Sequence, residues 1–209
     1  VRNPRTLIIS AALLLAASAS AAPKAAPAKS AKPAPAATPK SKLDLPGLQK
    51  ALESGDAAQM MGALETIGKS GDPTGAPLVE ALLGRGADAT VLARAIETLG
   101  VLGQPSSGAA LAPYAQHRTP ELRRAALRAL IASKSPLAGD VLRRALHGSD
   151  PGQRAIAARG LGELNVRAAV PELFSVLPKD VAEAAQSLGQ LCVGAQCEQF
   201  TGMLGHLRF

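Results

Sequence analysis

A short helical pattern recurs through most of this chain at intervals of 27 to 32 residues. Each copy has an aliphatic anchor residue, an alanine four positions before it and another apolar residue three positions before it. Positions −4, −3, 0 and +3 share one face of a helix, so each copy predicts one amphipathic helix. We number positions from the anchor. The five anchors are Ile67, Leu99, Leu130, Leu161 and Leu188, and their alanines are Ala63, Ala95, Ala126, Ala157 and Ala184.

A second apolar pair follows each anchor at about +12 and +16 and predicts a second helix after a tight turn; it is clearest in Leu173 and Leu177. A glycine follows the anchor in four copies, and Ile131 takes that place in the third. One copy cannot bury its own apolar stripes, so the copies must stack, and a period near 30 is typical of a solenoid. The predicted fold class is therefore all-α, a right-handed α-α superhelix of about five helical hairpins over residues 43–209.

Helix start signals agree with this pattern. Thr119 and Asp150 each place a capping oxygen before a proline, whose missing N–H costs nothing at the first helical position. Asp56 and Asp88 are the corresponding caps in earlier copies. One further helix should precede the first copy, because apolar residues continue upstream of it. These residues are Leu48 and Leu52.

The fullest copy runs from Asp150 to Leu177. Its distinctive residues are Asp150-Pro151, Arg154, Ala157-Ala158, Leu161-Gly162-Glu163-Leu164 and Ala169-Val170-Pro171-Glu172-Leu173 with Leu177. In these residues, and less fully in Arg94 to Gly100 and Arg123 to Leu130, the chain resembles the HEAT-like repeats first associated with phycobilisome bilin lyases. The resemblance covers roughly residues 43–209. It implies a fold of stacked helical hairpins, whereas it is a poor guide to function.

The first 22 residues have the features of a secretory signal peptide. Arg2 and Arg5 form a basic start, Leu7 to Ala17 is a short apolar run, and Ala19-Ser20-Ala21 offers small residues to a peptidase. The run is shorter than the roughly 20 residues of a membrane-spanning helix. We therefore expect export to the periplasm or secretion, with no transmembrane span after processing. An uncleaved anchor is the alternative.

Residues 23–42 contain alanine, proline, lysine, serine and threonine, with no acidic and no large apolar residue. Such a segment cannot form a core, so we expect a disordered linker between the signal peptide and the repeats. Its simplest role is that of a spacer. Alternatively, its lysines attract it to an anionic surface of the cell envelope.

The excess of positive over negative charge lies entirely in the N-terminal segment. The chain has a formal net charge of +7, and residues 1–42 hold seven lysines and arginines and no acid. The remaining residues carry 16 charges of each sign. The high pI therefore does not indicate a nucleic-acid-binding fold, and we expect no nucleic-acid partner.

Arginines concentrate in the middle copies, where residues 118–167 hold ten basic and four acidic residues. Guanidinium groups suit carboxylates and phosphates, so this belt is a candidate face for an anionic partner in the concave groove. The alternative is that the arginines are ordinary solvated or packing residues. The candidate binding residues are Arg123, Arg124, Arg128, Arg154 and Arg159.

Cys192 and Cys197 are the two cysteines of the chain. In an exported protein such a pair tends to be oxidised, so we expect a disulfide that closes the terminal copy. Two unpaired thiols are the alternative, and a metal site is a weaker one because only His206 is near in sequence.

The sequence offers no catalytic or metal-binding constellation. His117, His147 and His206 are isolated, and no GxSxG elbow, phosphate loop or Cys–His dyad appears. We therefore expect no enzyme and no cofactor, but an exported scaffold that binds a protein partner or an envelope component. One alternative is an accessory or lyase-like subunit that holds a small ligand in the concave groove. Another is a spacer whose functional end is the Lys/Pro segment.

Overall fold

The computed structural model describes residues 43–178, 181–194, 198 and 201–202. Within these ranges the chain forms ten α-helices and no β-strand. The predicted signal peptide and linker lie outside the described residues and stay predictions. The helices are α1 (Leu45–Glu53), α2 (Ala57–Ser70), α3 (Ala76–Arg85), α4 (Ala89–Leu102), α5 (Gly108–Leu111), α6 (Pro120–Ala132), α7 (Ala138–Ala145), α8 (Pro151–Glu163), α9 (Val170–Val176) and α10 (Val181–Leu191).

The five predicted anchors form the centre of the core. Each anchor is 0% exposed, and the five alanines at −4 are at most 5% exposed. We call the helices that carry them the anchor helices, namely α2, α4, α6, α8 and α10. Each anchor helix packs against the next in chain order, so the copies share one continuous core. The predicted all-α solenoid is therefore confirmed.

The sequence predicted hairpins made of an anchor helix and the helix that follows it, whereas the structure pairs each anchor helix with the helix that precedes it. The remaining helices α1, α3, α5, α7 and α9, the return helices, each pack closely against the anchor helix that follows. Only three residues join α3 to α4, and so short a connection makes antiparallel neighbours. By contrast, a 3₁₀ turn at Pro73–Gly75 separates α2 from α3. The structural hairpin is thus a return helix plus the next anchor helix, and α1, the predicted extra helix, completes the first one.

Glycines set the close approach of neighbouring anchor helices. A Cβ added to Gly100 would lie 3.1 Å from the Ala129 Cα, and one added to Gly162 would lie 2.7 Å from the Ser187 Oγ. These contacts join position +1 of one copy to position −1 of the next. Between α6 and α8 the arrangement is reversed, because Ile131 occupies the space that a Cβ of Gly160 would need. Each of these three contacts therefore pairs a glycine with a larger residue, which explains why the third copy tolerates isoleucine.

The predicted helix caps are correct in part. The carboxylates of Asp56 and Asp150 accept backbone N–H groups at the starts of α2 and α8. Asp88 and Thr119 also occupy N-cap positions, yet neither side chain makes a capping hydrogen bond. At the start of α6 the Thr119 backbone N–H instead donates to Nδ1 of His117 over 3.1 Å. None of the helices in the described ranges has the length and apolarity needed to cross a membrane.

Candidate functional site

Arg123 and Arg154 perform the same structural task one copy apart. Nη1 of Arg123 donates to the carbonyl oxygens of His117 and Arg118, at 2.8 and 2.9 Å. Nη1 of Arg154 donates to the carbonyl oxygens of Gly148 and Ser149, at 3.0 and 3.1 Å. Both guanidinium groups therefore satisfy backbone carbonyls just upstream of their own helix. These two predicted binding residues lie at the helix starts and help to hold the connections there.

Arg124 is engaged in an ion pair between neighbouring copies. Its Nε and Nη2 donate to the two carboxylate oxygens of Asp150, at 2.8 and 2.7 Å. Asp150 also accepts the backbone N–H of Gly152, and its side chain is 9% exposed. The hydrogen bond from Arg124, the largest influence, lowers the pKa of Asp150, and burial opposes this change. The carboxylate of Asp150 thus already supplies the anionic partner that the sequence suggested for Arg124.

A similar pair joins α7 to α9. Nε and Nη2 of Arg143 both donate to Oε1 of Glu172. Burial would raise the pKa of this carboxylate, but the hydrogen bonds from Arg143 and the neighbouring positive charges lower it overall. Arg143 therefore also serves the contact between copies.

Arg128 and Arg159 differ from the other predicted binding residues. They occupy position −2 of their copies and are exposed on α6 and α8. Arg128 has no hydrogen bond or ion pair within the part of the chain that the structure describes, and Arg159 has one contact of 4.0 Å with Glu163. Two of the five candidate arginines thus remain available to a ligand.

The surface around these two residues extends along the anchor helices. We call it the anchor-helix face and define it by positions −2 and +2 of the first four copies. Shallow hollows between α2 and α4 and between α4 and α6 share Glu97 and Val101, so the face is continuous across these helices. Its members are Glu65, Lys69, Glu97, Val101, Arg128, Ala132, Arg159 and Glu163.

The two halves of the anchor-helix face carry different charges. In the first half, Lys69 lies 2.6 Å from Glu65 and Arg94 lies 3.9 Å from Glu97, so each acid has a basic neighbour. The hydrogen bond from Lys69 is the main reason why the pKa of Glu65 is lowered. In the second half, two arginines face one acid. The second half is therefore left with excess positive charge, whereas the first is locally neutral.

Val101 is the apolar feature of this face. It lies at position +2 of the second copy and is 68% exposed, the largest exposure among the bulky apolar side chains described. Alanines at Ala125 and Ala132 and the glycine Gly100 surround it in the hollow between α4 and α6. Val101 was not among the predicted site residues, although position +2 across the copies shows it as the one bulky apolar residue there.

The other sequence predictions for sites are only partly within the described ranges. Cys192 is half-buried against the core, whereas Cys197 lies outside the described residues, so the disulfide stays a prediction. No group of three or more histidine, cysteine, aspartate or glutamate side chains in the described ranges is placed to hold a metal ion. His117 lies in the connection before α6 and His147 in the connection before α8, and His206 is outside the described residues.

A continuous layer of anchor helices, flanked by return helices in chain order, defines an α-solenoid. Residues 77–155 match the family of HEAT repeats, in agreement with the resemblance seen in the sequence. A chain in the structure of the complex of CpcE and CpcF of phycocyanin lyase from Nostoc sp. PCC7120 is similar, with 23% sequence identity and a TM-score of 0.41. The match covers 78% of the present chain and 68% of that chain. No match was found among the curated proteins compared.

Proposed function

We propose that this repeat scaffold is not an enzyme and that it binds an acidic segment of a protein partner on the anchor-helix face. The observation that carries the proposal is the exposure of Arg128 and Arg159 without strong partners, while Arg123, Arg124 and Arg154 serve the fold. A carboxylate-bearing segment that crosses α6 and α8 would pair with both guanidinium groups. Its apolar side chains would cover Val101.

The geometry of the face favours an extended contact. Its ion pairs and charged side chains are largely exposed, and isolated exposed pairs contribute little, on the order of 0 to 1 kcal/mol. Affinity would therefore come from several arginine–carboxylate pairs combined with burial of Val101 and the alanines beside it. The electrostatic part should weaken with salt, because exposed charges are screened over about 8 Å at physiological ionic strength.

The contact can be tested by site-specific photocrosslinking in the cells that produce the protein. A photoreactive amino acid placed at Val101 should capture a partner, whereas one placed at Leu137, an exposed residue just before α7, should not. The double variant Arg128→Glu/Arg159→Glu should lose the captured partner. The matched control Arg118→Glu/Arg144→Glu makes the same change of net charge at exposed residues off the face and should retain it. An adduct that survives reversal of both Arg128 and Arg159 would refute the proposed site.

We also propose that the protein acts outside the cytoplasm, periplasmic or secreted, after removal of residues 1–22. The basic start, the short apolar run and the small residues before Pro23 support this. N-terminal sequencing of material from the periplasm or the medium should start near residue 23. A mature protein that still carries Arg2 would contradict cleavage.

The Lys-bearing segment 23–42 is proposed to bridge the scaffold to an anionic envelope surface. Its five lysines without any acid support an electrostatic attraction. Deletion of residues 23–42 should lower the share of protein that sediments with envelope fractions at low salt, while crosslinking at Val101 persists. If the sedimenting share is unchanged by the deletion, the segment is only a spacer.

A further inference from the structure

A cavity of about 530 Å³ lies between the second and third return segments, away from the anchor-helix face. Its walls come from the second half of α3, from the start of α4 and from the segment that follows α5. A volume of this size is within the range of small-molecule sites in proteins, roughly 300 to 1,000 Å³. The lining residues that matter are Glu80, Leu83, Leu92, Tyr114 and His117, with Gly84 at the rim.

A proline creates the room for this cavity. Pro113 has no backbone N–H and cannot continue the hydrogen bonding of α5, which ends after four residues at Leu111. The chain then tightens into a 3₁₀ turn over Ala112–Gln116. The other return helices between anchor helices, α3, α7 and α9, run for seven to ten residues. The return layer is therefore interrupted here, next to α3.

Tyr114 forms one wall and is held in place. Its hydroxyl donates a 2.7 Å hydrogen bond to the carbonyl oxygen of Leu83, across the two return segments. Its ring stacks on His117, with the ring centroids 5.9 Å apart and the planes inclined by 23°. His117 is fixed in turn because its Nδ1 accepts the Thr119 backbone N–H. An aromatic wall is thus present before any ligand arrives, which limits the ordering cost of binding.

Glu80 gives the cavity its chemical preference. It is the one acidic residue among the lining residues, and no lysine or arginine lines the cavity with it. Its Oε1 accepts the Ser107 hydroxyl over 2.6 Å, whereas Oε2 accepts no hydrogen bond within the described part of the chain. A carboxylate beside apolar walls attracts a cation more strongly than it would in open water, because the local dielectric is lower.

We propose that this cavity binds a small amphipathic amine. The apolar body packs against Leu83, Leu92 and the Tyr114 ring, and the ammonium group donates to Glu80. The Tyr114 ring also offers an aromatic face that favours cations. This site is independent of the proposed partner contact, since it shares no residue with the anchor-helix face.

The fluorescence of Tyr114 can report binding of a ligand in the cavity. Tyr114 is the single tyrosine and there is no tryptophan, so tyrosine emission comes from the cavity alone. The full chain is titrated with hexylamine, with hexan-1-ol and with hexanoate, which share one apolar tail and differ in the head group. We expect saturable changes in emission with hexylamine and a Kd roughly tenfold or more below that of hexan-1-ol, as one charge-assisted hydrogen bond provides. Hexanoate should bind most weakly.

Two variants separate selectivity from binding. Glu80→Gln keeps the shape and an acceptor for Ser107 but removes the charge, so the advantage of hexylamine over hexan-1-ol should disappear. Gly84→Leu places a side chain at the rim on the exposed side of α3, where a Cβ meets nothing within 4 Å. Leucine is the better helix former, so this variant should fold and lose binding of both probes. Far-UV circular dichroism confirms that each variant is helical.

Three outcomes would overturn the proposal. The first is equal affinity for hexylamine and hexan-1-ol in the native chain. The second is an unchanged preference for hexylamine in Glu80→Gln, and the third is emission changes that persist in helical Gly84→Leu. Because Arg128 and Arg159 take no part, the partner crosslink at Val101 can fail or succeed independently of all three.

Discussion

The contact between Ile131 and Gly160 allows the stacking geometry to be tested quantitatively. Gly160→Ala adds one methyl group to α8, at a point occupied by the side chain of Ile131. The new Cβ would lie 2.7 Å from Cγ1 of Ile131 and 3.1 Å from Cδ1 of Leu142. Real Cβ atoms essentially never lie within 3.0 Å of such a neighbour, so Ile131 or the helix axes must move. Overpacking of this kind typically costs about 1 to 3 kcal/mol.

The helix itself favours alanine, and this gain must be separated from the packing cost. Replacing glycine by alanine inside a helix stabilises it by about 1 kcal/mol. Gly62→Ala in α2 is the matched control, because a Cβ there meets no atom within 4 Å. We expect Gly62→Ala to raise the free energy of unfolding slightly. Gly160→Ala should fall below this control by about 1 to 3 kcal/mol, the packing term alone.

A double-mutant cycle identifies the residue responsible. Ile131→Ala removes the two atoms closest to the added methyl, and by itself it should cost about 2 kcal/mol, the lower end for such truncations because Ile131 is half-buried. Combined with Gly160→Ala, the loss should be smaller than the sum by about 0.5 to 3 kcal/mol. Urea unfolding monitored by circular dichroism measures each value. Additive losses, or equal effects of Gly160→Ala and Gly62→Ala, would refute the proposed packing of α6 on α8.

Three further predictions concern the ends of the helices. Because the pKa of Asp150 is lowered in the fold, its pairing with Arg124 stabilises the protein above the ordinary value of 3.8 and loses this effect as the pH falls through the folded pKa. Arg124→Ala should therefore lower the urea midpoint at pH 7, with a deficit that shrinks below about pH 4; a deficit independent of pH would contradict it. Lys134→Gly should raise the free energy of unfolding by up to about 1 kcal/mol, because Lys134 follows the C-cap of α6 with a φ of 50° that glycine adopts without strain. No gain would show that the Lys134 side chain offsets this strain. Finally, non-reducing mass spectrometry of exported protein should give a mass lower by two hydrogens, as a Cys192–Cys197 bond requires, and two alkylatable thiols would exclude the bond.

The repeat pattern was sufficient to predict which residues form the core. Ile67, Leu99, Leu130, Leu161 and Leu188 are all fully buried, because a shared register of small and large apolar residues leaves one way to stack the helices. The phase of the hairpins could not be predicted in the same way. A period fixes the spacing of copies but not which neighbour a helix touches, and that depends on connector length. The available signal for the pairing was connector length, because only three residues link α3 to α4, whereas a 3₁₀ turn separates α2 from α3.

The roles of the arginines were harder to predict, because residue type alone does not identify a partner. Arg124 pairs with Asp150 at a separation of 26 residues, and Arg123 contacts Gln153 at a separation of 30. Both separations are close to one repeat, so a search for complementary residues one period apart would have found them. The same search would also have returned Glu97 for Arg128, although no ion pair joins the two in the part of the chain that the structure describes. Arg159 meets only Arg128 and Gln186 one period away.

Most polar links between copies lie at helix ends and among return segments, whereas the anchor helices meet mainly through apolar and glycine contacts below their exposed face. One buried hydrogen bond, from the Ser187 hydroxyl to the Ala158 carbonyl oxygen, joins α10 to α8. Tyr114 binds the Leu83 carbonyl, Arg124 binds Asp150 at the start of α8, and Arg143 binds Glu172 between α7 and α9. The exposed arginines of the anchor-helix face take no part in these links. Substitutions of such surface residues usually change stability by no more than about 0.5 kcal/mol. A partner lost from Arg128→Glu/Arg159→Glu would therefore indicate a broken contact, since the stack that presents those residues depends on other side chains.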